Sequence, residues 1–117
     1  MKYILLFTLS LSLFADTTFI TPLEYASQLY KNPRGIGCQH CHGDKGEGKL
    51  IAKYIHKGKH KEFRAPAINS LDLQTFFIQL NKRKKGMPRY FLTQKEIKAL
   101  YFYISEKNSK KGKNSEK

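Results

Sequence analysis

Apolar residues recur along the chain in short stretches with helical spacing, separated by glycine-rich and lysine-rich segments, and three of those stretches predict helices. In the first, Leu23, Ala26 and Tyr30 share one side, as on a helix that buries a single face. Thr21 and Glu24 form a Thr-x-x-Glu capping box, Pro22 suits the first helical position, and Ile20 and Tyr25 occupy the two staple positions. Asn32-Pro33 ends this helix. The second is expected over about residues 71–84, where Leu73, Phe76, Phe77 and Leu80 follow the i, i+3, i+4, i+7 rule. Asn69 or Ser70 caps it, and Gly86-Met87-Pro88 stops it. The third repeats the logic of the first: Thr93 and Glu96 form a capping box, Leu92 and Ile97 are the staple pair, and Ile97, Leu100, Tyr101 and Ile104 share a face. A fourth, shorter helix is expected around residues 49–56. There is no Val-rich alternation, no evident strand and no internal repeat. The fold class is therefore mainly α, with three to four helices in one small domain.

The ends of the chain differ from this pattern. Met1-Lys2, an apolar run over residues 3–14 and Ala15 read as a secretory signal peptide spanning residues 1–15. The run is shorter than the roughly 20 residues that span a bilayer. Leu13 departs from the small residue expected three positions before the cut, so retention as an uncleaved anchor stays open. The stretch 108–117 has no apolar residue and is expected to be a disordered basic tail, leaving residues 16–107 as the folded domain. The formal net charge is +13 for 117 residues, and loss of Lys2 with the signal lowers it by one. Basic clusters remain within the domain at residues 53–64 and 82–85. Such a balance favours an acidic partner and steers its approach in a salt-dependent way.

Between the first two helices lies a segment with five glycines, residues 34–48, at whose centre stands Cys38-Gln39-His40-Cys41-His42. Five glycines imply a tightly turned backbone packed against something bulky, and a domain this small commonly relies on a staple, metal or cofactor. Cys-x-x-Cys-His is the haem c attachment sequence. Two thiols three positions apart on one turn can each add to a vinyl group at one edge of the porphyrin, and the adjacent His42 then offers its ring to the iron. Export also gives the cysteines a compartment in which a bare pair would be oxidised. Two other readings use the same residues. A thioredoxin-like pair would follow a strand in a βαβ setting, and none is evident before Cys38. A zinc site from Cys38, Cys41, His56 and His60 has acceptable spacing, yet it leaves His42 unused and lacks a strand pair between the ligand pairs.

With the signal removed, Met87 is the one remaining methionine. It lies in a Gly-Met-Pro turn rather than on an apolar helical face, and the flanking Gly86 and Pro88 can hold its thioether outward as a sixth iron ligand. A soft sulfur opposite His raises the potential, and two protein ligands leave no open iron position. His40, His56 and His60 are the alternative sixth ligands.

These residues, in their order along positions 21–105, resemble the class I cytochromes c, small monohaem proteins of bacterial periplasms and mitochondria. The likeness rests on Cys38-Gln39-His40-Cys41-His42-Gly43, on Gly46 and Gly48, on the proline loop Arg64-Ala65-Pro66-Ala67-Ile68, on Gly86-Met87-Pro88, and on the last helix from Leu92 to Ile104. It implies a cytochrome c fold around one covalently attached haem c, first and last helices that cross beside it, and iron held by His42 and Met87. It also implies that the Pro66 carbonyl accepts a hydrogen bond from His42, and that Tyr101 or its neighbours pack near the crossing against Leu23, Ala26, Leu29 or Tyr30. Arg64 and Arg89 are candidates for the propionates. The expected role is that of a periplasmic electron carrier, not an enzyme. Its partners would be acidic redox proteins or a membrane-bound oxidase or reductase complex, docking transiently through Lys45, Lys49, Lys82, Lys84 and Lys85. Nucleic acid is not an expected partner, and the carrier is expected to be a monomer. A haem subunit of a larger periplasmic oxidoreductase is the alternative.

Overall fold

The computed structural model describes residues 19–113, with side chains described through residue 110. The expected signal peptide lies outside the described residues. Four helices and one hairpin follow in the order α1 (Pro22–Lys31), α2 (Cys38–His42), β1 (Lys49–His56), β2 (Lys59–Ala65), α3 (Leu73–Asn81) and α4 (Gln94–Lys113).

Both capping boxes form. At α1, Glu24 N–H donates to Thr21 Oγ1 at 3.2 Å while Thr21 N–H donates to Glu24 Oε2 at 2.9 Å. At α4, Glu96 N–H donates to Thr93 Oγ1 at 3.2 Å and Thr93 N–H to Glu96 Oε2 at 2.7 Å. The reciprocal pair satisfies donors that a helix start would otherwise leave unpaired. Helix α3 is shorter than its apolar spacing suggests. Its cap is Asp72 rather than Asn69 or Ser70: the Asp72 carboxylate accepts from Thr75 N at 2.9 Å and from Thr75 Oγ1 at 2.6 Å.

The helix expected over residues 49–56 is instead a strand. β1 pairs antiparallel with β2, from Lys49 opposite Ala65 to His56 opposite Lys59, with a bulge between Leu50 and Ala52. Lys57 (φ 49°) and Gly58 (φ 72°) close it, a two-residue turn with both residues left-handed, which matches the twist of paired strands. Nearly every hairpin residue is exposed. The period-2 alternation that marks a half-buried strand is therefore absent from the sequence, and this is why the strands go unseen there.

The core is the contact between α1 and α4. Ala26, Leu29 and Tyr30 meet Ile97, Leu100, Tyr103 and Ile104, with Phe76 of α3 completing the cluster. Burying each large aliphatic side chain contributes about 1.5–3 kcal/mol. The Tyr30 and Tyr103 rings lie 5.3 Å apart. Tyr101 points elsewhere and packs 5.6 Å from the Phe76 ring, so Tyr103 rather than Tyr101 stands opposite Tyr30. Helix α4 also continues through Lys113, into the stretch expected to be disordered. Lys107 sits 5.3 Å from the Tyr103 ring and Asn108 Nδ2 donates to Asn69 O at 3.0 Å, tying that extension to the domain. Among the described residues no helix is long and apolar enough to cross a membrane.

Candidate haem site

Helix α2 is little more than one turn, and its i, i+3 spacing sets Cys38 and Cys41 side by side at its surface as free thiols. Burial pushes the Cys38 thiol up to about 11, so before any addition reaction it is held as the neutral thiol. His42 closes the same turn and is only 8 % exposed. Its Nδ1 lies 2.8 Å from the Pro66 carbonyl oxygen. That oxygen can only accept, so Nδ1 carries the proton and Nε2 keeps a lone pair.

The glycine segment positions this carbonyl. Gly48 N–H donates to His42 O at 2.8 Å, and Ile68 N–H donates to Gly46 O at 2.7 Å, so the turn after His42 and the loop holding Pro66 are stitched together. Gly48 is left-handed at φ 85°, and a Cβ there would sit 2.9 Å from Ala65 O and Ala67 N. Only glycine allows that approach. Tyr30 adds a tie from α1: its buried hydroxyl donates to Gly43 O at 2.6 Å.

Two interactions absent from the sequence reading bind the segment before Cys38 to the loop carrying Met87. Arg34, left-handed at φ 62°, donates from Nη1 to Glu96 Oε1 at 2.7 Å and from Nη2 to Phe91 O at 2.6 Å. The Arg34 guanidinium holds the Glu96 carboxyl down at about 2. Tyr90 donates its hydroxyl to Ile36 O at 2.5 Å. Sequence offers little to find either, because the partners are 62 and 54 residues apart.

These loops enclose a mainly apolar cavity of about 370 Å³, within the range of sites that bury a small-molecule cofactor. Cys38, Cys41 and His42 form one part of its wall, and half-buried Met87 another. Pro66, Tyr90, Phe76 of α3 and Ile51 and Phe63 of the hairpin complete it. Gln79, also on the wall, has a buried Oε1 with no partner among the described residues. A cavity apolar over most of its surface, with two thiols and a singly engaged imidazole at one side and an unpaired amide elsewhere, fits a large flat cofactor with a polar edge.

The other candidates separate from this group. Arg64 is at the cavity and binds Glu62 through Nε at 2.9 Å, while Arg89 is not on its wall and lies 5.5 Å from the Phe91 ring. His40 is exposed on α2, and His56 and His60 are exposed at the hairpin end. His56 pairs with Lys59 and His60 with Ile55, so the two imidazoles leave opposite faces of the ribbon. Among the described residues no three His, Cys, Asp or Glu side chains cluster closely enough to hold a metal ion.

A four-helix domain whose Cys-x-x-Cys-His turn lines a mainly apolar cavity is the arrangement a haem-carrying electron-transfer protein needs. The chain belongs to the cytochrome c family, whose sequence model matches residues 23–107. No match was found among curated proteins or among solved structures. Cytochromes c carry haem c, with its iron, covalently attached, and generally act as electron carriers rather than enzymes. Cys38 and Cys41 are the residues here that could hold that group by thioether bonds.

Proposed function

We propose that this cytochrome c is an exported, single-haem electron shuttle of the periplasm, with Cys38 and Cys41 as thioether anchors and His42 and Met87 as axial ligands. The observation that carries the reading is the His42 hydrogen bond to Pro66 O at 2.8 Å. It fixes the ring orientation and tautomer so that Nε2 is the free nitrogen, at a cavity that Met87 also lines. A carbonyl partner of this kind raises imidazole basicity and holds it in place.

Haem c, when bound, supplies an iron that takes up and releases one electron. The chain's own residues do the rest. Cys38 and Cys41 would tether it, His42 and Met87 would hold its iron and leave no position for a substrate, and the apolar wall of Phe63, Phe76 and Ile51 would exclude water. Arg64, Lys84 and Lys85, all exposed, stand at the cavity margin and give that margin the charge to guide an acidic redox partner into a brief encounter.

An absorption spectrum with haem staining of a denaturing gel, on protein matured in a host with haem c attachment machinery, tests the tether: haem is expected to stay on the denatured chain. Met87→Ala tests the axial assignment. It is expected to lower the reduction potential and let cyanide or carbon monoxide bind at neutral pH. An unchanged potential and no added ligand would refute Met87 as a ligand.

A further inference from the structure

The β1–β2 hairpin does more than wall the cavity. Its base contributes Ile51, Phe63 and Ala65 to the cavity, while the rest stands away from the domain with both faces exposed. At 8 and 7 residues per strand the ribbon is about 25 Å long. Residues 49–65 carry six Lys and Arg side chains against one acid, Glu62, and that acid is engaged by Arg64 at 2.9 Å and Lys53 at 3.8 Å. Lys57, Lys59 and Lys61 crowd the outer end, with Lys57 at the apex of the turn.

Apolar side chains sit among these charges. Ile55 is 66 % exposed and Tyr54 46 %. As neighbours on one strand they leave opposite faces, Tyr54 beside its partner Lys61 and Ile55 beside His60. A folded protein partner lying on this ribbon would cover one face and leave the other apolar side chain in water. A fluid anionic interface covers both at once. It buries the aliphatic and aromatic tips at the boundary of headgroups and acyl chains, while lysines extend to the phosphates. Insertion of this kind reaches about 5–10 Å, so the outer third of the ribbon can enter without disturbing the cavity wall at its base.

We propose that the hairpin end, Lys53 to Lys61, is a reversible anchor for an anionic lipid bilayer, with Ile55 and Tyr54 inserted and the surrounding lysines on the headgroup phosphates. The anchor would keep the carrier close to a membrane while leaving the margin at Lys84 and Lys85 free for a redox partner. It is independent of which residue fills the sixth iron position.

Vesicle flotation of the haem-loaded full chain, followed by haem absorbance, tests this. At low salt the protein is expected to float with equimolar phosphatidylcholine–phosphatidylglycerol vesicles and not with phosphatidylcholine alone, and to be released at high salt. Tyr54→Ser/Ile55→Ser, which changes no charge, is expected to weaken binding about tenfold, with the absorption spectrum and melting midpoint unaltered. No binding to the anionic vesicles overturns the proposal, and so does undiminished binding of the double variant, which would mean that charge alone adheres. If the protein ignores the vesicles but is retained on immobilised polyglutamate, and Lys57→Gln/Lys59→Gln abolishes that retention, the occupant is an acidic protein and the bilayer is ruled out.

Discussion

Gly86 is held in place by two requirements at once. Its φ of 84° lies in the left-handed region, and a Cβ there would collide with the Phe63 ring. The ring belongs to the cavity wall, so any movement that relieves the clash reshapes that wall. Gly86→Ala should therefore cost more than the 1 kcal/mol or so of backbone strain alone, and should move the adjacent Met87. The expected result is a lower melting midpoint together with partial loss of the absorption signature of the proposed Met87 ligation. A variant that loses stability but keeps that signature would separate the clash from the positioning. Arg34 and Glu96 act at a distance from the cofactor. The Glu96 carboxyl sits at about 2, against an ordinary 4.5, chiefly through its hydrogen bond from Arg34. A group whose folded value is depressed contributes stability above its unfolded value and loses it as pH falls through the folded one. Stability should accordingly be flat near neutrality and decline between about pH 4.5 and pH 2. Glu96→Gln should remove most of that slope and lower the neutral-pH melting midpoint by several degrees, as thermal melts across that range would read. Of these residues, Cys38, Cys41, His42 and Met87 were expected at the site from short local motifs and Pro66 from the family resemblance, and all five line the cavity. Arg34 and Tyr90 were not expected. Their roles come from contacts across more than 50 residues, and nothing local marks a loop arginine as an anchor.

At the scale of elements, legibility follows how much of an element's stability is local. The starts of α1 and α4 were visible to the residue because a capping box is a four-residue signal. The end of α3 was not, since Lys82, Arg83 and Lys84 are good helix formers, yet the backbone already turns extended at Lys82 and the helix ends at Asn81. The hairpin was missed altogether: with five lysines spread along residues 49–65 and both faces wet, its pairing leaves no hydrophobic period. The α1–α4 contact is the element pair on which the cavity depends, because Tyr30 reaches from it to Gly43 and thereby to the attachment turn. Ala26, completely buried there, sets how closely the two helices approach. Ala26→Leu should wedge them apart at a cost of about 1–3 kcal/mol. Denaturant unfolding would register the loss as a lower midpoint with an unchanged slope, whereas a tolerated leucine would show that the crossing can slide to make room.

The whole molecule is a positively charged body, net +13 over the full sequence, with its charge distributed unevenly. The core helix faces are apolar, while Arg64, Lys84 and Lys85 lie at the cavity margin and Lys57, Lys59 and Lys61 lie at the hairpin end. A field of this kind raises the local concentration of anions near the proposed haem cavity. Exchange with an anionic small oxidant such as ferricyanide should therefore be fast at low ionic strength. It should slow as salt shortens the screening length from about 30 Å at 0.01 M to about 8 Å at 0.15 M. Lys84→Glu/Lys85→Glu reverses charge at the margin without touching the core or the proposed ligands. Stopped-flow oxidation of that variant by ferricyanide should be several-fold slower at low salt and should converge on the wild-type rate at high salt. Oxidation by a cationic reagent should change in the opposite sense. Matching charge reversals at Lys57 and Lys59, some distance along the ribbon, should leave ferricyanide oxidation much closer to wild type. That contrast follows from position rather than total charge, since both pairs alter the net charge equally and only one pair borders the cavity.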